Sequence, residues 1–320
     1  MAERSKRITL YDPAKAEQVN EETKALLKKY KMDMEIRELS NNTILQYVSD
    51  LQQWFIYVLD NQDNKSALEI TEDDLTEFFY FCKTEGNNSR RIKRRMASIS
   101  AFYKYLRKKR MIIENPCEFI DRPKKDVDVL VQTFLTQEQV FLMKFLLKEN
   151  VKQGKKYAKE IQLYALFSLS TMARVNAVAN IKWDQVDFTE RTCNDVLEKE
   201  GKIVTLYYSE NVKELMYELK KERADKGIDD GGYVFGRNGK PVGPEVLTNW
   251  AHKIGRMIGV PTLHPHDFRH SGSQLLKLSG CPIEQISELL NHSGLDVTKK
   301  HYLRADKKKM RAEKDRYEVA

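Results

Sequence analysis

Histidine, arginine and tyrosine side chains that can move protons and bind anions are concentrated in the C-terminal part of the chain. Five of the six histidines lie between His264 and His301, a stretch that contains Arg269 and is followed directly by Tyr302. Imidazole exchanges protons near neutral pH, guanidinium binds anions through paired hydrogen bonds, and a tyrosine hydroxyl can act as a nucleophile. This stretch therefore predicts a reactive site.

A further arginine, Arg174, directly follows a nearly continuous apolar run from Leu163 to Ala173. Such a run predicts a helix buried in a core, with Arg174 at its end. Two desolvated arginines that converge on one anion suit a phosphodiester, whose two non-bridging oxygens accept their paired donors. The alternative for Arg174 is an ion pair with a carboxylate such as Asp184 or Asp187.

Two lysines lie in a predicted hairpin between these arginines. Short β-branched and aromatic runs around Val196 and from Ile203 to Tyr208 flank the turn that contains Lys199 and Lys202. Two such runs joined by a short turn predict an antiparallel pair of strands. Lys199 fits the turn slightly better as a residue that reaches a neighbouring site, and the sequence does not decide between the two lysines.

The elements around these residues are mostly helical. A chain of 320 residues can hold two domains. Helical periodicity and capping residues such as Ser40, Thr71 and Thr136 predict a helical domain over residues 39–125 and, after an exposed linker at 126–132, a second domain over 133–320. The second domain is expected to be mainly helical with a small antiparallel sheet, including a strand at 233–235. Residues 1–38 form a leader and helix whose role the sequence leaves open.

A basic helix is predicted in the first domain. The segment from Arg90 to Arg110 carries ten lysines and arginines and no acidic residue, whereas the net charge of the whole chain is only +8. A charge run is usually a solvated face, but without acidic residues at i,i+4 spacing this one would repel itself unless a polyanion bound it. The candidate contacts on its surface are Arg90, Arg91, Lys93, Arg94, Arg95, Lys104, Arg107 and Lys108.

Composition narrows the class of protein further. The chain is 41% hydrophobic and 32% charged with only 14 glycines and 8 prolines, which favours a helix-rich globular protein. The four cysteines are far apart and form no metal-ligand spacing. No apolar run approaches the roughly 20 residues of a membrane span, and the N-terminus is charged rather than signal-like. We therefore expect a cytoplasmic protein with reduced thiols and neither a metal nor a membrane anchor.

These residues, in this order, resemble the tyrosine recombinase (phage integrase) family. Residues 171–177 (TMARVNA) resemble its first arginine box, residues 266–270 (HDFRH) its HxxR box, and residues 290–293 (LNHS) its third box. The predicted first domain resembles the family's helical, SAM-like core-binding domain. Each motif alone is weak, but three boxes in order behind a basic helical domain are specific. The short leader favours the Xer type or a mobile-element integrase.

The resemblance implies phosphoryl transfer without metal, ATP or other cofactor. Tyr302 would attack the scissile DNA phosphate to give a 3′-phosphotyrosyl intermediate and a free 5′-hydroxyl. A second 5′-hydroxyl would then reverse the step on a different strand. The implied partners are double-stranded DNA with a specific recombination site and three further copies of the chain, which would be a monomer when free and a homo-tetramer on DNA.

The resemblance also implies roles for five other side chains. Arg174 and Arg269 would clamp the phosphate oxygens, and His292 would hydrogen-bond one of them. Lys199 would protonate the departing 5′ oxygen, and His266 would accept or orient the tyrosine proton. The two neighbours of His266, His264 and His270, are expected to be structural.

Two positions depart from the family pattern. The family usually has an acidic residue three positions after the first arginine, where this chain has Ala177, so another carboxylate or none supports Arg174. The nucleophilic tyrosine usually lies nine residues after the third-box histidine, where this chain has His301, with Tyr302 one residue later. Tyr302 is the best candidate, and Tyr317 is the outside alternative.

Other functions compete with this interpretation. His266 and His270 lie at i,i+4 with a carboxylate after the first, which resembles a zinc hydrolase helix for which His292 could supply a third ligand. A non-catalytic DNA-binding protein would explain the basic helix alone. A type IB topoisomerase shares the covalent chemistry but relaxes any supercoiled DNA. The sequence names neither the DNA site nor the outcome among integration, excision and dimer resolution.

Overall fold

The computed structural model describes residues 10–124, 134–198 and 201–291. The chain divides into two units, Met1–Leu130 and Val131–Ala320. Both consist mainly of helices, and the second also contains small antiparallel sheets, so the fold class predicted from the sequence is confirmed.

The described part of the first unit is helical. Its helices are α1 (Pro13–Gln18), α2 (Glu21–Ile36), α3 (Asn41–Asn61), α4 (Glu72–Thr84) and α5 (Ser89–Lys108).

Polar caps fix where these helices begin. The side chains of Ser40, Thr71 and Asn88 each accept a hydrogen bond from a backbone N–H three residues later, as the sequence predicts for Ser40 and Thr71. At α4 the Asp74 carboxylate accepts in return from the backbone N–H of Thr71, which completes a capping box. Such caps satisfy N–H groups that have no partner inside the helix.

The core of the first unit lies between α3 and α5. Trp54, Phe78 and Phe102 are fully buried there, and the rings of Trp54 and Tyr103 meet edge to face. Helix α2 adds Tyr30 to the same core. Helix α2, which belongs to the stretch whose role the sequence leaves open, therefore packs as part of the first unit.

The second unit combines helices with short strands. Its elements are α6 (Gln137–Lys152), α7 (Ala158–Thr171), α8 (Val175–Asn180), β1 (Val186–Asp187), β2 (Thr192–Leu197), β3 (Ile203–Tyr207), α9 (Glu210–Asp225), β4 (Gly236–Arg237), β5 (Lys240–Pro241), α10 (Pro244–Met257), α11 (Pro265–Leu278) and α12 (Ile283–Leu289).

Helix α7 is the centre of the second unit's core. Leu163, Tyr164 and Phe167 on it are fully buried, and it packs against α6, α9 and α11. The buried helix predicted before Arg174 is therefore confirmed. It ends at Thr171, and Met172 turns the chain with a left-handed φ of 55°.

The sheets are antiparallel, with strand order β1-β2-β3 and a separate β4-β5 pair. The β2–β3 pair is the predicted hairpin. The strand predicted at residues 233–235 is wrong, because this stretch pairs with Lys182 through an isolated bridge at Tyr233 and belongs to none of the named strands. The Arg223 guanidinium donates to the carbonyls of Tyr233 and Val234.

Candidate functional site

Arg174 lies at the start of α8, where the chain leaves the buried α7. Its backbone is extended (φ −73°, ψ 147°), and its side chain is about one third exposed, at 36%. Its Nη1 forms an ion pair with Glu198 Oε2. The partner of Arg174 is therefore neither Asp184 nor Asp187, the two alternatives suggested by the sequence.

Glu198 follows directly on β2 and is a candidate site residue that the sequence analysis missed. Its side chain is 1% exposed, and its backbone N–H donates to Lys202 O at 2.8 Å across the turn. Its Oε1 is buried and has no hydrogen-bond partner within the described residues. The available signal was an acidic residue beside the predicted lysine turn, but a pairing across 24 residues needs the register of the hairpin.

Arg269 is buried on α11 and joins three segments. Its Nη1 donates to Met172 O at 2.7 Å and its Nη2 donates to Leu290 O at 2.5 Å. These carbonyls lie at the C-terminal ends of α7 and α12, where helix dipoles and unpaired carbonyls favour a cation. Arg269 thus brings the first arginine box and the third box to one place.

Lys202 connects the hairpin to the third box. Its Nζ donates to Asn291 O at 2.8 Å, one residue beyond the carbonyl that Arg269 binds. Two cations therefore hold the chain directly before His292. Lys199, the other candidate in the turn, lies outside the described residues.

The histidines at the start of α11 have different surroundings. The backbone N–H of His264 donates to Asp267 Oδ2 at 2.9 Å, and its Nδ1 lies 3.1 Å from the same oxygen. Burial raises the pKa of the Asp267 carboxyl, and the His264 N–H and ring oppose that rise. His264 therefore has the structural role predicted for it.

The rings of His266 and His270 meet edge to face, with centroids 4.5 Å apart. The Asp267 carboxylate between them in sequence is used in the helix cap with His264. Within residues 10–124, 134–198 and 201–291, no group of three His, Cys, Asp or Glu side chains could hold a metal ion. His292, the third ligand of the zinc alternative, lies outside these ranges.

Several predicted site residues cannot be placed. Lys199, His292, Tyr302 and the alternative nucleophile Tyr317 lie outside the described residues. Three members of the predicted set are described: Arg174, His266 and Arg269. Arg269 donates to the carbonyl of Met172, two residues before Arg174, and so links α11 to the segment that carries Arg174. His266 lies one helical turn before Arg269 on α11.

The basic helix α5 is partly neutralised by a neighbouring helix. Asp50 on α3 is fully buried, and its Oδ1 lies 3.2 Å from a terminal nitrogen of both Arg91 and Arg94. Its Oδ2 accepts from Ser98 Oγ at 3.0 Å. The segment from Arg90 to Arg110 itself has no acidic residue, as the sequence shows. In the fold, Asp50 on α3 supplies a carboxylate to two of its arginines.

Arg95 corrects the predicted DNA-contact set. Its side chain is fully buried; its Nε donates to Asn87 and its Nη2 to Gln53. Its guanidinium lies 5.7 Å from the centre of the Phe78 ring. The expectation that Arg95 lies on the surface is wrong, because its position on α5 faces α3 and α4.

The other predicted contacts lie at or near the surface of α5. Arg107 is exposed and pairs with Glu118 at 2.9 Å. Arg90, Lys104 and Lys108 are exposed, and Lys93 is half-buried. No helix in the part of the chain that the structure describes is long and apolar enough to cross a membrane.

Comparisons with known proteins agree with this arrangement. Residues 133–309 match the phage integrase family, and residues 27–110 match the phage integrase N-terminal SAM-like domain. The chain is 25% identical to the tyrosine recombinase XerC of Pediococcus pentosaceus over 270 residues, which cover 82% of this chain and 87% of that protein.

Two solved structures share the fold. One is the XerH site-specific recombinase bound to a palindromic difH substrate, at a TM-score of 0.73 and 17% identity, covering 97% of this chain and 90% of that one. The other is the Tn1549 transposon integrase in complex with a circular intermediate DNA, at a TM-score of 0.66 and 18% identity, covering 91% and 99%.

Proposed function

Because the chain belongs to the phage integrase family and is a site-specific tyrosine recombinase, we propose that it cleaves and rejoins DNA through a 3′-phosphotyrosyl intermediate, without metal or ATP. The observation that carries the proposal is the junction at Arg269. This buried arginine binds Met172 O and Leu290 O, and so places the first arginine box beside the residues that precede His292.

In the proposed cleavage step, the Tyr302 oxygen attacks the scissile phosphorus and the bond to the 5′ oxygen breaks. A phenol with a pKa of about 10 is a poor nucleophile at neutral pH, so its proton must pass to a base, for which His266 is the candidate. The 5′ oxygen leaves as a hydroxyl after it takes a proton from a hairpin lysine. Lys199 is the proposed general acid. Lys202 is the alternative, because its contact with Asn291 places it beside the third box.

The proposed role of Arg174 and Arg269 is to stabilise the charge that develops on the phosphate. Guanidinium groups fixed in a partly desolvated site stabilise such charge more than water does. Arg174 is partly exposed, so some of its donors can face DNA, whereas both terminal nitrogens of Arg269 bind carbonyls. In this proposal His292 donates to a non-bridging oxygen.

In the proposed rejoining step, a 5′-hydroxyl from another strand attacks the phosphotyrosine and releases Tyr302. The energy of the broken phosphodiester is kept in the intermediate, so no external energy source enters. Exchange between two duplexes requires four active sites, which is why we propose a homo-tetramer on DNA assembled from monomers. The Tn1549 transposon integrase is bound to a circular intermediate DNA and the XerH recombinase to a difH substrate, and we propose a mobile-element or Xer-type site in cytoplasmic DNA for this chain.

For the first unit we propose a DNA contact through the exposed side of α5. Arg90, Lys104, Arg107 and Lys108 lie exposed on it, and Lys93 lies half-buried. Arg91 and Arg94 keep partial exposure while Asp50 holds them, so both can still meet a phosphate. Arg95 is omitted because it is buried.

The test begins with full-length protein and a pool of random duplexes, from which binding selects the preferred site. The selected duplex is then nicked near its centre so that the 5′-hydroxyl diffuses away and cleavage cannot be reversed. We expect an SDS-resistant protein–DNA adduct with the natural chain and none with Tyr302→Phe. Tyr317→Phe is the matched control and should still form the adduct. Stoichiometric zinc in the purified protein, with no adduct on the selected site, would contradict the proposal.

A further inference from the structure

Glu198 is a buried carboxylic side chain with one charged partner, Arg174, among the described residues. Its carboxylate is 1% exposed, and its buried Oε1 has no hydrogen-bond partner in the described parts of the chain. Arg174, paired with Oε2, is the charged partner that the structure gives it. Because a buried charge is costly unless it is paired and hydrogen-bonded, Glu198 does not by itself favour folding.

Helix α8 offers Arg174 no carboxylate at residue 177, where the family usually has an acidic side chain. Ala177, three residues further along α8, is 2% exposed and has only a methyl group. Ala177 lies in the first turn of α8, which begins directly after the N-cap residue Arg174. In this chain the carboxylate beside Arg174 comes instead from the end of β2, in the hairpin that also carries Lys199 and Lys202.

We propose that Glu198 is the positioning residue for Arg174 in strand cleavage, an inference that rests on the proposed function. The ion pair holds the guanidinium at Nη1, and in this proposal the other N–H donors meet the phosphate on the partly exposed side. Guanidinium has five N–H donors in a rigid plane, so holding one nitrogen restricts where the others can point. Glu198 itself touches neither the phosphate nor the tyrosine.

The same pair couples two parts of the site. Glu198 is bonded to the turn through its N–H to Lys202 O, and Lys202 Nζ donates to Asn291 O. The carboxylate therefore ties the first arginine to the hairpin that reaches the third box. A change at Glu198 is expected to act on cleavage rate rather than on DNA affinity.

The experiment measures the single-turnover rate of adduct formation on the selected nicked duplex. Glu198→Gln keeps the shape of the side chain and removes its charge. We expect the adduct to form about 10- to 100-fold more slowly, as for a misplaced catalytic group, while DNA affinity stays within about twofold. Glu222→Gln, which removes a carboxylate paired with Lys159 and Lys226 elsewhere in the second unit, is the matched control and should react at the natural rate.

A double-mutant cycle tests whether Glu198 acts through Arg174. Arg174→Lys keeps the charge but loses the planar set of donors. In that background Glu198→Gln should slow the reaction by a much smaller factor than in the natural chain, because little orientation remains to be lost.

The outcomes separate the two proposals. If the natural chain forms no adduct, the proposed function fails. If the natural chain forms it and Glu198→Gln matches its rate, the positioning role is overturned although the function stands. An equal slowing in both backgrounds also overturns it, since Glu198 would then act independently of Arg174.

Discussion

Two buried carboxylates, one in each unit, lie beneath partly exposed arginines and differ in how many partners they have. Asp50 forms ion pairs with Arg91 and Arg94 through Oδ1 and accepts from Ser98 through Oδ2, so both of its oxygens are engaged. Glu198 pairs with Arg174 through one oxygen, and its other oxygen lacks a partner among the described residues. We infer that Asp50, whose oxygens both have partners, contributes to the folding free energy of the first unit. Glu198 has fewer partners, and its effect is expected on the orientation of Arg174 rather than on stability.

The largest effect is expected from removing the arginine of the less satisfied pair. Arg174→Ala leaves the buried Glu198 without its charged partner, which should cost about 3–5 kcal/mol of unfolding free energy. Adding Glu198→Gln should restore most of that loss, because the uncompensated charge is then gone. Urea unfolding of the three proteins measures this, and a double variant as unstable as Arg174→Ala would contradict the comparison.

A smaller loss is expected at the satisfied carboxylate. Asp50→Asn removes two ion pairs whose arginines can still turn partly to solvent, so we expect a loss of about 1–3 kcal/mol in the first unit. The control is Asp60→Asn, because Asp60 and its partner Lys15 are both well exposed and such a pair contributes less than about 1 kcal/mol. Equal losses in thermal unfolding would show that burial does not distinguish the two carboxylates.

Substitutions of exposed and of buried cations on α5 should have different effects on DNA affinity. Lys104→Ala and Lys108→Ala should each weaken binding to all sequences and reduce the slope of log affinity against log salt by about 1. Arg95→Met, which replaces a buried cation by an apolar chain of similar length, should leave that slope unchanged. A reduced slope in Arg95→Met would mean that Arg95 reaches DNA after all.

The smallest effect on stability is expected for Glu198→Gln. Removing a buried charge costs little once Arg174 can face solvent, so the free energy of unfolding should change by less than about 1 kcal/mol. Cleavage is expected to slow in the same variant, so an unchanged stability would show that the slower rate does not come from unfolding. A loss of several kcal/mol would make Glu198 a structural residue like Asp50 and remove the contrast between the units.

The local signals in the sequence predicted local structure well. The caps at Ser40 and Thr71, the buried helix before Arg174 and the β2–β3 hairpin depend on neighbouring residues, and the structure confirms them. The burial of Arg95 was also open to prediction, because it lies three residues after Ile92 and four before Ile99 on the same apolar stripe. Its charge favours a surface position, but its spacing places it on the buried stripe.

Contacts between residues that are distant in sequence could not be predicted from the sequence. Glu198 meets Arg174 only because the hairpin register places the end of β2 beside the start of α8. The strand predicted at residues 233–235 is instead an isolated bridge to Lys182, a partner distant in sequence, and Arg223 donates to the carbonyls of Tyr233 and Val234. Asp50 reaches Arg91 and Arg94 from another helix, more than 40 residues away.

The most direct test of the central claim is to identify the residue and the DNA end joined in the covalent adduct. The two candidate tyrosines fall in different tryptic peptides, residues 301–304 for Tyr302 and residues 317–320 for Tyr317. Mass spectrometry of the digested adduct should find a 3′-phosphate on the peptide of residues 301–304, with a 5′-hydroxyl on the released strand. DNA on residues 317–320, or a 5′-linked phosphate on either peptide, would contradict the account.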